Sequence, residues 1–439
     1  RYLFAQVENF LFYDVWNNGS VNENVFAYSN FVGDEGTVVF YNNKYDSAQG
    51  WIKQSCEYAV KIGSGDDDKK MVTRSLGEGL GLTYGWNHYV VLHEQRSGLW
   101  FIRKSDDIIN NGMFVMLKGF EAQVFTDVRQ VVDSEDGKYA KLCELLNGAG
   151  TEDIEIAWQE YRYKELYAEL GKFVTPEFLD DIHLLFTPKS KLEKSMKKPV
   201  LKTILAAVKD SALSYYEMES RFALDSEAEK KAAETVEKKT AAKKSVSRKA
   251  ARADAKSTEA TPEEKCSAFT KQIEYLHKIF ESAQKSSLKR NAVKATLDAE
   301  IYQGFEENRL SAEILVCFAA VSSAGSDNLI KWGFNRKLSD LLGKTDFAEK
   351  EFGASVKEMR NVFTRIFICS KISRFNFCTS EFVRSTYEVA KLLVKDEHAF
   401  LLSGAHSYDG TIWFNKERMD STLWYALTSN AMLTSRTLR

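Results

Sequence analysis

Leu76 to Leu82 (LGEGLGL) offers three alternating glycines, the composition of a loop that could cradle a pyrophosphate. Such a loop needs a strand before it and a helix N-terminus after it, so that free N–H groups meet the phosphate oxygens. Here Thr83-Tyr84-Gly85-Trp86-Asn87 leads into another strand pattern, and Glu78 would repel phosphate, so a turn between strands is expected. Gly343-Lys344-Thr345 has the ending of a P-loop, but the glycine required five residues earlier is Leu338, and the cradle of backbone amides is incomplete. Six histidines could supply a metal site. None stands in HxH or HExxH spacing, and His398 and His406 are eight apart with no acidic residue between, so structural or surface roles are expected. The nucleophile elbow GxSxG is absent. Carboxylates such as Asp14, Glu23 and Glu94 are plentiful, but sequence gives no two of them a paired geometry. No catalytic residue, metal ligand or cofactor is assigned.

The chain has 439 residues, about three domains' worth. Lys and Arg total 60 and Asp and Glu 62, which excludes attachment to nucleic acid or membrane by overall charge. That near-neutral total conceals opposites. Residues 1–137 carry 12 basic and 19 acidic side chains, a net −7, whereas Lys238 to Lys256 carries eight basic residues and only Asp254, a net +7. The basic segment could contact phosphate backbones, yet it lacks interleaved aromatics for base stacking, so a nucleic-acid partner is not expected. No run approaches the 18 apolar residues of a membrane span, and RYLFAQVENFLFYDVW does not read as a signal peptide. The scattered cysteines (Cys56, Cys143, Cys266, Cys317, Cys369, Cys378) read as reduced thiols, and a cytoplasmic location is expected.

Any site must rest on two kinds of element. Up to about residue 132 the apolar period is two. Asn24 to Asn30, Thr37 to Tyr41, His88 to Glu94, Leu99 to Arg103, Met113 to Leu117 and Phe120 to Val128 read as strands separated by glycine-bearing turns. In the last run Phe120, Ala122, Val124 and Val128 are expected to share one face, with Glu121, Gln123 and Asp127 on the other. An antiparallel β-sandwich is predicted over 1–132. After Asp133 the period becomes helical. Leu201, Ile204, Leu205 and Val208 share a face, as do Val356, Met359, Phe363, Ile366 and Phe367, and Met419, Leu423, Leu427 and Ala431 form a third stripe. From about 226 to 265 aromatics vanish and Ala, Lys, Glu, Ser and Thr dominate, giving a disordered linker or a lone solvated helix. The fold class is therefore α+β. A sandwich over 1–132 precedes helical domains over 138–225 and 266–435, with the charged linker between them.

The order FLFYDVW, VNENVFAYSN, TVVFYNNKY and GWIKQSC resembles the segment after the catalytic barrel in large bacterial α-amylase-type glycoside hydrolases. The likeness continues through RSLGEGLGL, VVLHEQRSGLWFIR and GFEAQVFTDVRQVVD, the last similar to the closing strand of that family's β-domain. Ser407 to Arg418 (SYDGTIWFNKER) resembles a stretch in the helical tail of the same group. The resemblance covers about 1–135 closely, 138–225 in patches, and 407–425 again.

In that family a (β/α)8 barrel supplies an aspartate nucleophile, a glutamate acid/base and a second aspartate, with two carboxyls about 5 Å apart across the scissile bond. The resemblance implies that this barrel would precede Arg1, so the parent would act on α-glucan while the present portion would be inactive alone. Its implied partners are the upstream barrel of the same polypeptide and α-glucan. It also implies a β-domain that covers an apolar flank of the barrel and adds sugar contacts. Among Trp16, Trp51, Trp86 and Trp100, an exposed ring could stack on a pyranose face, whereas a buried one would be core. Trp51 after Gly50 and Trp86 between Gly85 and Asn87 have the turn-like surroundings that favour exposure. The alternative is a stand-alone, non-enzymatic interaction protein built of a β-sandwich and a helical appendage.

Overall fold

The computed structural model describes residues 9–63, 68–188, 198–241, 260–287, 303–308, 310–352, 356–370, 391, 395 and 404–434. The chain forms two compact units, Arg1–Arg162 and Tyr163–Arg439.

The first unit is the predicted antiparallel sandwich. Its strands are β1 (Leu11–Tyr13), β2 (Trp16–Asn17), β3 (Ser20–Val21), β4 (Val25–Val32), β5 (Glu35–Asn42) and β6 (Ala48–Ile52). They continue with β7 (Tyr58–Lys61), β8 (Lys69–Val72), β9 (His88–Glu94), β10 (Leu99–Lys104), β11 (Met113–Leu117) and β12 (Ala122–Val132). Six of them form one sheet in the order β1-β4-β5-β12-β9-β10, and four form a second in the order β11-β6-β2-β3. Strands β7 and β8 pair only with each other among the described residues. Alternation decides what faces inward. Val25 and Ala27 on β4, Val38 and Phe40 on β5, and Val90 and Leu92 on β9 meet Ala48, Ile52, Val115 and Leu117 from the smaller sheet. Each fully buried aliphatic or Phe side chain contributes about 1.5–3 kcal/mol relative to exposure. One buried polar pair lies among them, the Tyr13 hydroxyl and Ser29 Oγ at 2.7 Å. Burial pushes the Tyr13 phenol up to about 12.

Strand β12 departs from strict alternation. Its register shifts after Phe125 against β5 and after Thr126 against β9, and Asp127 takes φ 51°. This bulge resets the phase, so Phe125 and Val128 point into the core while Ala122 lies exposed. The expected shared face of Phe120, Ala122, Val124 and Val128 is thereby corrected.

The unit also extends beyond the expected boundary at 132. Helices α3 (Lys138–Leu146) and α4 (Ile154–Arg162) place Leu142 and Trp158 against Tyr89 and Ile102 on the outer side of β9 and β10. An apolar sheet face needs such a cover. Leu76–Gly79, expected as a turn, is a single helical turn, α1, capped by Ser75. A second short helix, α2 (Ser105–Asn111), follows β10.

The second unit contains α5 (Lys164–Phe173), α6 (Pro176–Phe186), α7 (Leu201–Ala241), α8 (Pro262–Ser287) and α9 (Ser311–Val321). After these come α10 (Ser326–Lys331), α11 (Phe334–Leu342), α12 (Asp346–Phe352), α13 (Val356–Ser370) and α14 (Lys416–Thr434). Thr175 caps α6 by accepting the Phe178 amide at 3.2 Å, with Pro176 at the first helical position. The expected helical faces of α7 and α13 are buried through Ile204, Leu205 and Val208 and through Met359, Phe363, Ile366 and Phe367. On α14 Ala431 of the expected stripe is buried and Met419 and Leu423 are half-buried, while Thr422, Tyr425, Ser429 and Met432 are buried beside them.

Two further expectations change here. The helical blocks split at 226–265 share one core that joins Tyr163, Phe173 and Tyr216 to Phe269, Phe318, Phe363 and Met432. The charged segment is helical to Ala241, and α8 resumes at Pro262 with Lys265 and Cys266 buried; residues 242–259 lie outside the described ones. Ala, Lys and Glu are strong helix formers, which explains the continuation. Ser407 to Arg418 is not wholly helical either. Strands β13 (His406–Tyr408) and β14 (Thr411–Trp413) make a hairpin whose turn residues, Asp409 and Gly410, both have positive φ.

Candidate functional site: an aromatic face on the four-stranded sheet

The short strand β6 (AQGWI) puts Ala48, Gly50 and Ile52 inside and Gln49 and Trp51 outside. Gly50 makes the arrangement possible. A Cβ there would lie 2.6 Å from Val15 Cγ1 and 2.7 Å from the Trp16 carbonyl oxygen, so only glycine lets β6 lie so close to β2. Trp16 then stands directly across from Trp51. On the other side β11 (MFVML) turns Phe114 and Met116 outward, opposite Trp51 and Gln49 respectively. Trp16, Trp51 and Phe114 thus form a row across three strands, 46%, 47% and 46% exposed, beside Met116 at 66%. The Trp51 and Phe114 rings are 5.3 Å apart at 53° to each other. An aromatic row of this kind offers apolar ring faces to water, where a sugar's C–H surface can be buried.

Trp86 is 91% exposed, on the loop before β9. That loop is braced by the Gly85 amide donating to Asp106 Oδ1 (3.1 Å) and the Tyr84 hydroxyl donating to Asn110 Oδ1 (2.9 Å). Its ring meets no other ring among the described residues. Both sequence-chosen tryptophans are therefore exposed, but Trp51 sits in a row and Trp86 stands alone. Trp100 is spent on structure: it stacks on His93 at 4.5 Å, and its amide donates to Thr151 O. Phe114 and Met116 escaped the sequence because their partner strand is some sixty residues away. The alternation within MFVML was the available signal.

The remaining motifs take structural roles. Ser75 Oγ accepts the Glu78 amide while the Glu78 carboxylate accepts the Ser75 amide at 2.7 Å, so the α1 N-terminus is closed by its own residues. Gly343 caps the end of α11 and Thr345 Oγ1 donates to Leu342 O, whereas a P-loop would open a helix there. His88 engages Thr83, His93 pairs with Asp127 at 3.6 Å, His183 with Glu313 at 2.6 Å and His277 with Glu281 at 3.9 Å. His398 lies outside the described residues. Among the described residues no group of His, Cys, Asp and Glu is placed to hold a metal ion. Asp14 accepts from the Cys56 thiol, which burial and that carboxylate push up. Burial raises the Glu94 pKa, but hydrogen bonds from Ser97 and Arg96 outweigh it and hold the carboxyl below the ordinary glutamate range. Cys56, Cys143, Cys266 and Cys317 are free thiols. No helix among the described residues is long and apolar enough to cross a membrane.

Comparison with protein-family models, with curated proteins and with solved structures finds no match for the chain.

Proposed function

We propose that this chain is the non-catalytic, post-barrel part of an α-amylase-type glycoside hydrolase, and that its β-unit makes accessory contacts to α-glucan. The observation that carries the proposal is the exposed row Trp16–Trp51–Phe114, with Trp51 and Phe114 tilted by 53°. Rings in one plane suit a flat β-linked ribbon, whereas rings turned against each other suit the curved path of an α-linked chain. Trp86 is a second, separate contact.

A second surface supports the packing role. Among the described residues, helices α3 and α4 cover the six-stranded sheet's outer face at β9 and β10 and reach Val131 of β12. At the other end Phe10, Phe12 and Tyr28 cluster at 5.0–6.0 Å, Phe26 stacks with Tyr41 at 6.4 Å, and Phe12 and Phe26 remain about half exposed. Such a patch, partly exposed among the described residues of its unit, is what a neighbouring barrel would bury.

Titration with maltohexaose, followed by tryptophan fluorescence, tests the sugar contact. A saturable change is expected, weakened about tenfold by Trp51→Ala, with cellohexaose clearly weaker. An unchanged spectrum at millimolar maltohexaose, or equal binding of cellohexaose, overturns the assignment.

A further inference from the structure

The helical unit has a half-open cavity of about 430 Å³ lined by α7, α8 and α10, within the size range of small-molecule sites. One wall is aromatic, from Tyr216 and Phe269. The lining also carries polar groups, Lys265 and Gln272 on the same face of α8 as Phe269, and Ser323 and Asn328 from the neighbouring segment. Two exposed alanines, at 260 and 268, are among the lining residues.

The polar wall is built around a buried charge pair. Glu219, fully buried on α7, accepts from Ser323 Oγ at 2.9 Å, and Lys265 Nζ lies 3.5 Å from its carboxylate. Lys265 also donates to Ser220 Oγ at 2.9 Å. An ammonium has three hydrogens, which leaves one beyond these two partners. Two acceptors are unmatched. Gln272 Oε1 and Asn328 Oδ1 are buried with no hydrogen-bond partner among the described residues. Asn328 Nδ2 donates to Ala324 O at 2.9 Å, which fixes the oxygen as the unused end of that amide. A buried acceptor without a donor is costly, and two on the walls of one cavity mark a place prepared for donors.

We infer that this cavity is a binding site for a neutral, hydroxyl-rich small molecule of about monosaccharide size. Hydroxyls both donate, as Gln272 and Asn328 require, and accept, as Lys265 requires. The carbon frame lies against Phe269 and Tyr216. The Lys265 charge is already matched by the buried Glu219 carboxylate behind it, so the cavity offers no net charge to favour an anion or a cation.

Calorimetric titration of the full chain carrying Trp51→Ala and Trp86→Ala keeps this site distinct from the glucan surface. D-glucose and myo-inositol are the neutral probes, with acetate and propylammonium as charged controls. Saturable binding of a neutral probe is expected. Gln272→Leu weakens it about tenfold while raising the melting temperature of the ligand-free chain, because the unmatched acceptor is gone. Ala268→Trp, at an exposed lining position, abolishes binding and leaves the melting temperature unchanged. Absence of binding by both neutral probes, undiminished binding in Ala268→Trp, or tighter binding of a charged control overturns the assignment; the first is the result for a cavity that holds only water.

Discussion

The helices of the second unit and the outer face of the four-stranded sheet in the first treat their aromatic residues in opposite ways. In the helical unit Trp332 is fully buried, with the rings of Tyr163, Phe334 and Phe222 at 5.7, 6.0 and 6.3 Å. In the β-unit Trp16, Trp51 and Trp86 stand in solvent. The difference follows from geometry. A helix in a bundle can turn one stripe inward and leave the rest polar, whereas a strand must send every second side chain to the far side of its sheet. Aromatics on that far side need either a cover, as α3 and α4 provide over Tyr89 and Ile102, or a ligand. The row in register is what the proposed glucan contact rests on.

Mutations can break this contrast, starting with the largest expected effect. Trp332→Ala is expected to cost about 3–5 kcal/mol in denaturant unfolding, and Trp51→Ala less than about 1 kcal/mol. Equal losses would show that Trp51 is core after all. Within the β-unit, Ser75→Ala removes the hydroxyl that accepts the Glu78 amide, leaves the backbone half of the α1 capping box in place, and is expected to cost about 1 kcal/mol, read as a lower unfolding midpoint with an unchanged glucan titration. A loss of glucan binding in that variant would mean that the 76–82 segment does more than close a turn.

The smallest effect is a pH dependence. The folded Glu94 carboxyl lies below the ordinary value of about 4.3. Its hydrogen bonds to the 95–98 turn therefore contribute stability that is present above that value and lost as pH falls through the folded one. Glu94→Gln should be less stable than the native chain at neutral pH, with the gap closing as the pH is lowered. A gap that persists in acid would assign the effect to packing instead of charge.

Much of the β-unit was legible in the sequence, because strands with one wet face write their period directly into residue order. Exposure of Trp86 was legible from its glycine-flanked loop, whereas Trp51, expected in a turn, is exposed because alternation along β6 turns it outward. Pairing was not. Nothing local in MFVML announces that Phe114 will stand opposite Trp51, since register between distant strands is settled by the whole core. The bulge at Thr126 and Asp127 was hidden for a similar reason: two polar residues read as an ordinary alternation until both neighbouring strands are in place. In the helical unit Asp409-Gly410 carried a hairpin signal that the surrounding helical periodicity obscured. The Lys/Ala segment misled in another way. It lacks the apolar residues to form a core, yet its first part continues a helix nucleated by Leu201 to Tyr216.

One feature of the larger sheet bears on how the chain assembles. Strands β4 and β5 are joined by a tight turn, and so are β9 and β10, whereas β12 lies between the two pairs and bonds to both. The hairpins can close within a few residues of themselves, but β12 must find β5 across some eighty residues of chain, the slow kind of search. It is the keystone laid between two finished arms. Pulse-labelled hydrogen exchange during refolding should protect β4–β5 and β9–β10 before β12; simultaneous protection would mean that the arms are not stable until the keystone is set.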